Sequence, residues 1–212
     1  MKVNRFIFSP FEVNTYILYD DSKECIIIDP ACYLKKEEEQ LAGFIADKEL
    51  KPVRLINTHS HLDHVFGNKF VSMTYGLKPE AHKEEKSNND FAVQAAENYG
   101  LTMAPPPSLN NYLSEDDQIT FGNSRLKILH CPGHSKGSLV FHSPEHKFVI
   151  GGDVLFKDSI GRTDLPGGNF DTLKESIVTK LYTLDEATTV FSGHGPETTV
   201  GNEKRNNPFI TF

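Results

Sequence analysis

A short segment in the first third of the chain gathers side chains that bind metal ions. His59, His61, Asp63 and His64 lie within six residues. Imidazole and carboxylate groups are the ligands that a borderline divalent cation such as zinc prefers. Because His59 and His61 are two residues apart, an extended backbone points them to one side, whereas the adjacent Asp63 and His64 need a turn to share it. The spacing therefore predicts two neighbouring metal positions and a hydrolase whose nucleophile is a metal-bound hydroxide.

The surrounding elements favour this interpretation over a solvated polar loop that happens to hold three histidines. Residues 53–57 are predicted to form a short buried strand, and a helix is predicted to begin near Phe66. Side chains that follow the carboxyl end of a strand lie where open α/β sheets bind their ligands. The segment 59–64 is therefore expected at such an edge.

Three more candidate ligands each have glycine as a neighbour and follow a predicted strand. They are His134, Asp153 and His194. Glycine lets the backbone turn sharply and approach another group closely. Each residue alone would be unremarkable, but their recurrence beside the first segment favours one shared site.

The complete pattern resembles the metallo-β-lactamase superfamily over essentially the whole chain. Residues 152–156, 160–164 and 193–196 resemble its glyoxalase II-like (hydroxyacylglutathione hydrolase-like) branch in particular. The resemblance implies an α/β fold, the αββα four-layer sandwich. No linker or low-complexity tract interrupts the sequence, so residues 1–212 are predicted to form a single domain.

The resemblance also implies how two divalent metal ions would share the ligands. One ion would take His59, His61 and His134, the other Asp63, His64 and His194, and Asp153 would bridge both. Zinc is the expected metal, with iron and manganese as alternatives, because all three accept such ligands. Asp63 is also expected to orient the hydroxide or accept its proton.

A thioester such as a hydroxyacyl-glutathione is the expected substrate. Two divalent ions, two carboxylates and one hydroxide sum to about +1, which suits a small anionic acyl thioester. Arg162 could bind a substrate carboxylate or could form a salt bridge with Asp164. The alternatives are a mononuclear-iron persulfide dioxygenase, a lactone or antibiotic hydrolase, and a non-enzymatic metal-binding protein.

Bulk composition limits the partners and the location. The net charge of -7 argues against nucleic acid as a partner, because phosphate contacts need a basic surface. No apolar run approaches the roughly 20 residues that span a bilayer, so no membrane partner is expected. Three cysteines at irregular spacing form no disulfide framework, and a cytoplasmic location is predicted.

Periodicity predicts the remaining elements. Strands are expected at residues 13–18 and 24–29, and helices at 35–50, 84–99 and 170–184. The second half otherwise shows strand signals, so each half is expected to contribute strands and at least one helix.

Overall fold

The computed structural model describes residues 1–210. The chain divides into two compact units. The first comprises Met1–Leu113 and Thr120–Arg125, and the second comprises Ser114–Ile119 and the described residues from Leu126 onward. The single domain over 1–212 stays a prediction.

The first unit is built on a six-stranded mixed sheet whose strands lie side by side in chain order. They are β1 (Lys2–Phe8), β2 (Val13–Tyr19), β3 (Glu24–Ile28), β4 (Lys51–Ile56), β5 (Pro79–Ala81) and β6 (Asn111–Tyr112). Strands β1 to β3 are antiparallel, and β3 to β6 are parallel. Parallel neighbours need crossover connections. These contain the helices α1 (Lys35–Asp47), α2 (Asn68–Tyr75) and α3 (Lys86–Asn98).

Helix α1 ends three residues earlier than its apolar spacing predicts. Glu49 adopts a left-handed conformation with φ of 55°, and its amide donates to the carbonyl of Ala46. The Leu50 amide donates to the carbonyl of Ile45. These two bonds form a Schellman motif, which satisfies the last carbonyls and ends the helix. Leu50 is nevertheless buried in the core, which explains why its apolar character extended the predicted helix.

A second six-stranded sheet lies mainly in the second unit. Its strands are β7 (Gln118–Phe121), β8 (Ser124–His130), β9 (Leu139–Ser143), β10 (Phe148–Gly152), β13 (Thr189–Ser192) and β14 (Thr198–Thr199). They lie side by side in the order β14-β13-β10-β9-β8-β7. Between β10 and β13, the short strands β11 (Leu155–Phe156) and β12 (Ser159–Ile160) form a separate pair.

Two helices accompany this sheet. Helix α4 (Phe170–Ser176) continues as a π-helical segment, Ile177–Leu181, and α5 covers Val200–Asn206. Leu173, Ile177 and Leu181 are completely buried in one cluster, as their four-residue spacing predicts. None of the helices within residues 1–210 has the length and apolar content to cross a membrane.

The three cysteines, Cys25, Cys32 and Cys131, are free and buried. Burial raises the pKa of Cys25 and of Cys131 to about 12. Both therefore stay protonated at neutral pH and pack as small apolar groups. Within residues 1–210, Cys131 belongs to none of the side-chain groups that could hold a metal ion, although it precedes His134 with C-x-x-H spacing.

Candidate metal centre

The parallel pairing of β3 with β4 positions the candidate ligands of the first unit. Ile28 pairs with Ile56, so the residues that follow the two strands emerge at the same edge of the sheet. Asp29 follows β3, and its amide donates to the carbonyl of Ile56. Thr58 and His59 follow β4 and are almost completely buried. The segment 59–64 therefore starts at the sheet edge, as predicted.

The turn that the sequence requires between the histidine pair and Asp63 is present. His61 is extended, with φ of -62° and ψ of 150°, and Leu62–His64 forms one turn of 3-10 helix. The His59 ring lies 4.7 Å from the His61 ring and 4.1 Å from the His64 ring, measured between centroids. Asp63 Oδ2 lies 3.8 Å from His64 Nε2. The first unit thus brings its four predicted ligands together.

A buried carboxylate fixes the orientation of these imidazoles. Asp29 Oδ2 lies 3.0 Å from His64 Nδ1 and accepts a 2.6 Å hydrogen bond from Thr58 Oγ1. Because an ionised carboxylate only accepts, His64 carries its proton on Nδ1. The Thr58 hydroxyl donates its hydrogen bond to Asp29, so its oxygen accepts from His59 Nδ1 at 3.1 Å. The metal-binding lone pair of both rings is therefore on Nε2.

In the second unit, three strands end at one edge of the sheet. Strand β8 is antiparallel to β9, β9 is antiparallel to β10, and β10 is parallel to β13. The carboxyl ends of β8, β10 and β13 therefore point the same way. The segments that follow them carry His134, Asp153 and His194. The Gly193 amide donates to the carbonyl of Gly152, which holds the last two segments together.

Asp153 lies between the two imidazoles of this unit. Its Oδ2 is 3.6 Å from His134 Nε2 and 3.5 Å from His194 Nε2. Two ligand atoms that bind one tetrahedral zinc ion at about 2.0–2.1 Å are separated by about 3.3 Å. The distances from Asp153 Oδ2 to the two imidazoles are close to this value. They are therefore compatible with a carboxylate oxygen that is shared between two ions, each of which is also bound by one of the imidazoles.

The loop that carries His134 is held on both sides. A Cβ at Gly133, where φ is 130°, would overlap the backbone of Leu173. The carbonyl of Gly133 accepts a 2.8 Å hydrogen bond from the amide of Asn169, the residue that caps α4. His134 Nδ1 donates to the carbonyl of Arg162 at 2.8 Å, because a carbonyl can only accept. Its Nε2 is therefore also available for a metal.

The side chain of Arg162 forms the ion pair that was one of its two sequence-based interpretations. Its Nε and Nη2 each lie 2.7 Å from a carboxylate oxygen of Asp164. The hydrogen bonds from Arg162 lower the pKa of Asp164 to about 2. Both side chains are more than half exposed. The pair therefore lies at the surface, where a substrate carboxylate could compete with Asp164.

The donor set fits a divalent metal. Each of the seven predicted ligands belongs to a group of at least three His or Asp side chains that could hold a metal ion. In three of the five histidines, a partner at Nδ1 leaves Nε2 as the ligand atom. Metal-binding histidines usually have such a partner, because it fixes the tautomer and the ring orientation.

Sequence reasoning missed two buried acidic residues beside the first four ligands. Asp29 ends a strand, and its contacts are with residues about 30 positions later. Glu85 lies in a run of charged residues that suggests exposure, yet it is completely buried and accepts from the Ser60 amide. No local sequence pattern distinguishes either carboxylate from a solvated one, because their buried partners lie 25 to 35 residues away in the chain.

Comparison with known proteins identifies relatives over the full length of the chain. A family model described as the metallo-beta-lactamase superfamily matches residues 9–194. The probable metallo-hydrolase YqgX of Bacillus subtilis is 37% identical over 99% of this chain and 98% of its own length. The hydroxyacylglutathione hydrolase GloC of Haemophilus influenzae is 35% identical over 94% of this chain and 93% of its own length.

Solved structures show the same likeness. The crystal structure of BLEG-1 B3 metallo-beta-lactamase superposes with a TM-score of 0.91 and 34% identity, covering 100% of both chains. TTHA1623, solved in a di-iron-bound form, gives a TM-score of 0.89 and 34% identity over 98% of this chain and 100% of its own.

Proposed function

The chain belongs to the metallo-β-lactamase superfamily and is a metal-dependent hydrolase, and from that premise we propose that it cleaves small anionic thioesters at a pair of divalent ions. The predicted α/β fold of this superfamily is confirmed. The proposal depends on one observation above all, the position of Asp153 Oδ2 between His134 Nε2 and His194 Nε2.

We propose the ligand assignment that the likeness to the metallo-β-lactamase superfamily implies. The first ion is bound by His59, His61 and His134, the second by Asp63, His64 and His194, and Asp153 is shared. Asp153 lies beside one imidazole of each set, which supports a shared carboxylate. The contact between Asp63 and His64 supports their assignment to the same ion.

The chemistry divides between the ions and the protein. Bound divalent ions lower the pKa of water to roughly 7 and polarise a carbonyl, which supplies hydroxide at neutral pH and activates an acyl group. The Asp63 carboxylate orients the attacking water and accepts its proton. Asp29 and Thr58 occupy Nδ1 of His64 and His59, so Nε2 of each ring keeps the lone pair that could bind a metal ion.

The choice of a thioester comes from the sequence and from one relative. The glyoxalase II-like segments of this chain and its 35% identity to a hydroxyacylglutathione hydrolase both point to an acyl-glutathione type of substrate. We propose that Arg162 binds a carboxylate of the thiol portion, exchanging Asp164 for the substrate. Zinc is the proposed metal, and iron is the principal alternative because a similar protein binds two iron ions.

The test is a metal assay on protein purified without chelator, followed by a panel of thioesters. We expect about two metal ions per chain and fast hydrolysis of lactoyl-glutathione. Asp153→Ala should lower the metal content and reduce kcat/KM at least about 100-fold, since a shared ligand affects both ions. If the metal-loaded protein hydrolyses no thioester, thioesters are rejected as the substrate class. Oxygen uptake with one iron ion per chain would instead indicate a persulfide dioxygenase.

Hydrolysis of a β-lactam is a second candidate function. The observation that favours it is the likeness to BLEG-1 B3 metallo-beta-lactamase over the complete chain. A chromogenic cephalosporin distinguishes the two, because a thioesterase would turn it over far more slowly than lactoyl-glutathione. A lactone panel in the same assay tests the remaining hydrolytic alternative. The cytoplasmic location and the absence of nucleic-acid and membrane partners stay predictions.

A further inference from the structure

Glu85 is a completely buried carboxylate beside the metal-binding segment. It ends the short helical turn Lys83–Glu85, which leads directly into α3. Its Oε2 accepts a 2.7 Å hydrogen bond from the Ser60 amide and a 2.9 Å hydrogen bond from Asn88 Nδ2. Carboxylates are rarely buried completely unless their partners compensate for lost hydration, so this position needs an explanation.

The Ser60 amide lies between two proposed ligands of the same ion, His59 and His61. Ser60 is itself buried, with 1% of its surface exposed. A backbone amide bound by a charged acceptor forms a short, strong hydrogen bond. Asn88, one turn into α3, holds the same carboxylate oxygen in place. The bond therefore fixes the backbone at the one residue whose conformation sets the spacing of the two histidines.

Helix α3 also packs against the following turn of the segment. Ala92 and Ala96 of α3 lie in one apolar cluster with Leu62 and Phe66. Leu62 belongs to the turn that carries Asp63 and His64. The helix thus contacts the metal-binding segment twice, through Glu85 at its beginning and through an apolar face further along.

We propose that Glu85 is a positioning residue for the metal centre. By accepting the Ser60 amide, it holds His59 and His61 in the arrangement that binds metal before the metal arrives, and so raises metal affinity. Glu85 belongs to none of the side-chain groups within residues 1–210 that could hold a metal ion, so we assign it no direct bond to the metal. This inference rests on the proposed metal site.

The chain offers a matched control in Glu203. It is equally buried, and it accepts hydrogen bonds from Thr198 Oγ1 at 2.6 Å, from Asn207 Nδ2 at 2.8 Å and from the Asp158 amide at 3.0 Å. None of these partners is a proposed ligand. Removal of Glu203 therefore reproduces the loss of a buried, hydrogen-bonded carboxylate without loosening the backbone between two ligands.

The experiment compares Glu85→Ala with Glu203→Ala in the full chain. Affinity for Co²⁺ and Zn²⁺ is measured by competition with a chromophoric chelator, and the visible spectrum of the Co²⁺ form reports the ligand arrangement. We expect Glu85→Ala to raise the Kd about 10–100-fold and to change the Co²⁺ spectrum. Glu203→Ala should lower thermal stability but keep the Kd within about twofold. Glu85→Gln, which retains the shape and a neutral acceptor, should recover most of the affinity.

Two results would overturn the inference. One is a wild-type Kd and spectrum for Glu85→Ala, and the other is an equal loss of affinity in Glu203→Ala. If Glu85→Ala does not fold, Glu85→Gln should still bind metal about 3–10-fold more weakly than Glu203→Gln, and equal affinities would reject the idea. A wild-type protein that binds no divalent metal would instead reject the proposed function itself.

Discussion

Asp29 and His64 are joined by a buried contact of 3.0 Å between Oδ2 and Nδ1, although 35 residues separate them in the sequence. The pair connects the end of β3 to the last residue of the metal-binding segment. The same carboxylate also accepts from the amide and the hydroxyl of Thr58. One side chain therefore controls the protonation of two proposed ligand rings.

Replacing Asp29 by Asn should weaken metal binding without changing the size of the side chain. An Asn amide can donate to His64 Nδ1, and the ring proton would then move to Nε2. The proton would occupy the lone pair that the proposed metal site needs. We expect metal affinity to fall about 10–100-fold, as for other partners of ligand histidines. Chelator competition measures the effect. Asp185→Asn, which breaks only an exposed ion pair with Lys147, is the control and should bind metal as the wild type does.

Replacing Gly161 by Ala should disturb Asp153, the carboxylate that we propose is shared between the two ions. A Cβ at this position would overlap the carbonyl oxygen of Asp153 and lie 3.1 Å from His134 Nδ1. The backbone would have to shift, at a cost of about 1–3 kcal/mol in stability. We expect hydrolytic activity to fall at least about tenfold, measured as kcat/KM.

Gly43→Ala is the matched control for that substitution. A Cβ at Gly43 would meet no atom within 4 Å, and the residue lies inside α1. Alanine should stabilise the helix by about 0.5–1 kcal/mol and leave activity unchanged. If Gly161→Ala is as active and as stable as the wild type, the close approach at Asp153 has no functional consequence.

Asp20 gives the first unit a stability that depends on pH. Burial alone would raise the pKa of Asp20, but hydrogen bonds from the Ser22 and Ser124 hydroxyls and from the Ser22 and Asn123 amides lower it to about 2. The pKa of Asp20 in the folded protein thus lies below its ordinary value near 3.8. The stabilisation that the charged Asp20 carboxylate provides is therefore complete above pH 3.8 and is lost as the pH falls through about 2.

The corresponding variant is Asp20→Asn. We expect it to lose about 1–3 kcal/mol of unfolding free energy at pH 7 and progressively less relative to the wild type towards pH 2. Urea unfolding at several pH values measures this difference. Asp21→Asn is the neighbouring control, since Asp21 is 95% exposed. A loss that does not change with pH would show that the hydrogen bonds do not depend on the charge.

The longer strands and most helices could be predicted because their apolar spacing coincides with burial, whereas strands of two or three residues, such as β5 and β14, are too short to show a pattern. Leu173, Ile177 and Leu181 show this for the helix predicted at residues 170–184, although the spacing could not reveal that its second half is π-helical. The end of α1 was misplaced because the motif that ends it places Glu49, a residue without a strong turn preference, in a left-handed conformation. Such ends are decided by hydrogen bonds rather than by hydrophobicity.

The candidate ligand side chains could be selected from the sequence because metal binding restricts residue type and spacing, and their role as ligands stays a prediction. The residues that orient them could not be selected in this way. Asp29 and Glu85 carry no local pattern, since their partners are determined by strand pairing and helix packing over distances of 25 to 35 residues. A carboxylate at a strand end or in a charged run has the same sequence signature whether it is solvated or buried.

Substitutions of Arg162 and Asp164 test whether Arg162 binds the substrate or only forms a structural ion pair. If the guanidinium binds a substrate carboxylate, Arg162→Ala should raise KM for lactoyl-glutathione about tenfold with little change in kcat, because uniform binding is lost. Asp164→Ala should have the opposite effect and lower KM, because it removes the carboxylate that competes for Arg162. A structural ion pair would instead make the two variants behave alike. Steady-state kinetics on both variants separate the two roles, with an uncharged thioester as the reference substrate. Equal KM values for the wild type and both variants would reject the assignment of Arg162 to substrate binding.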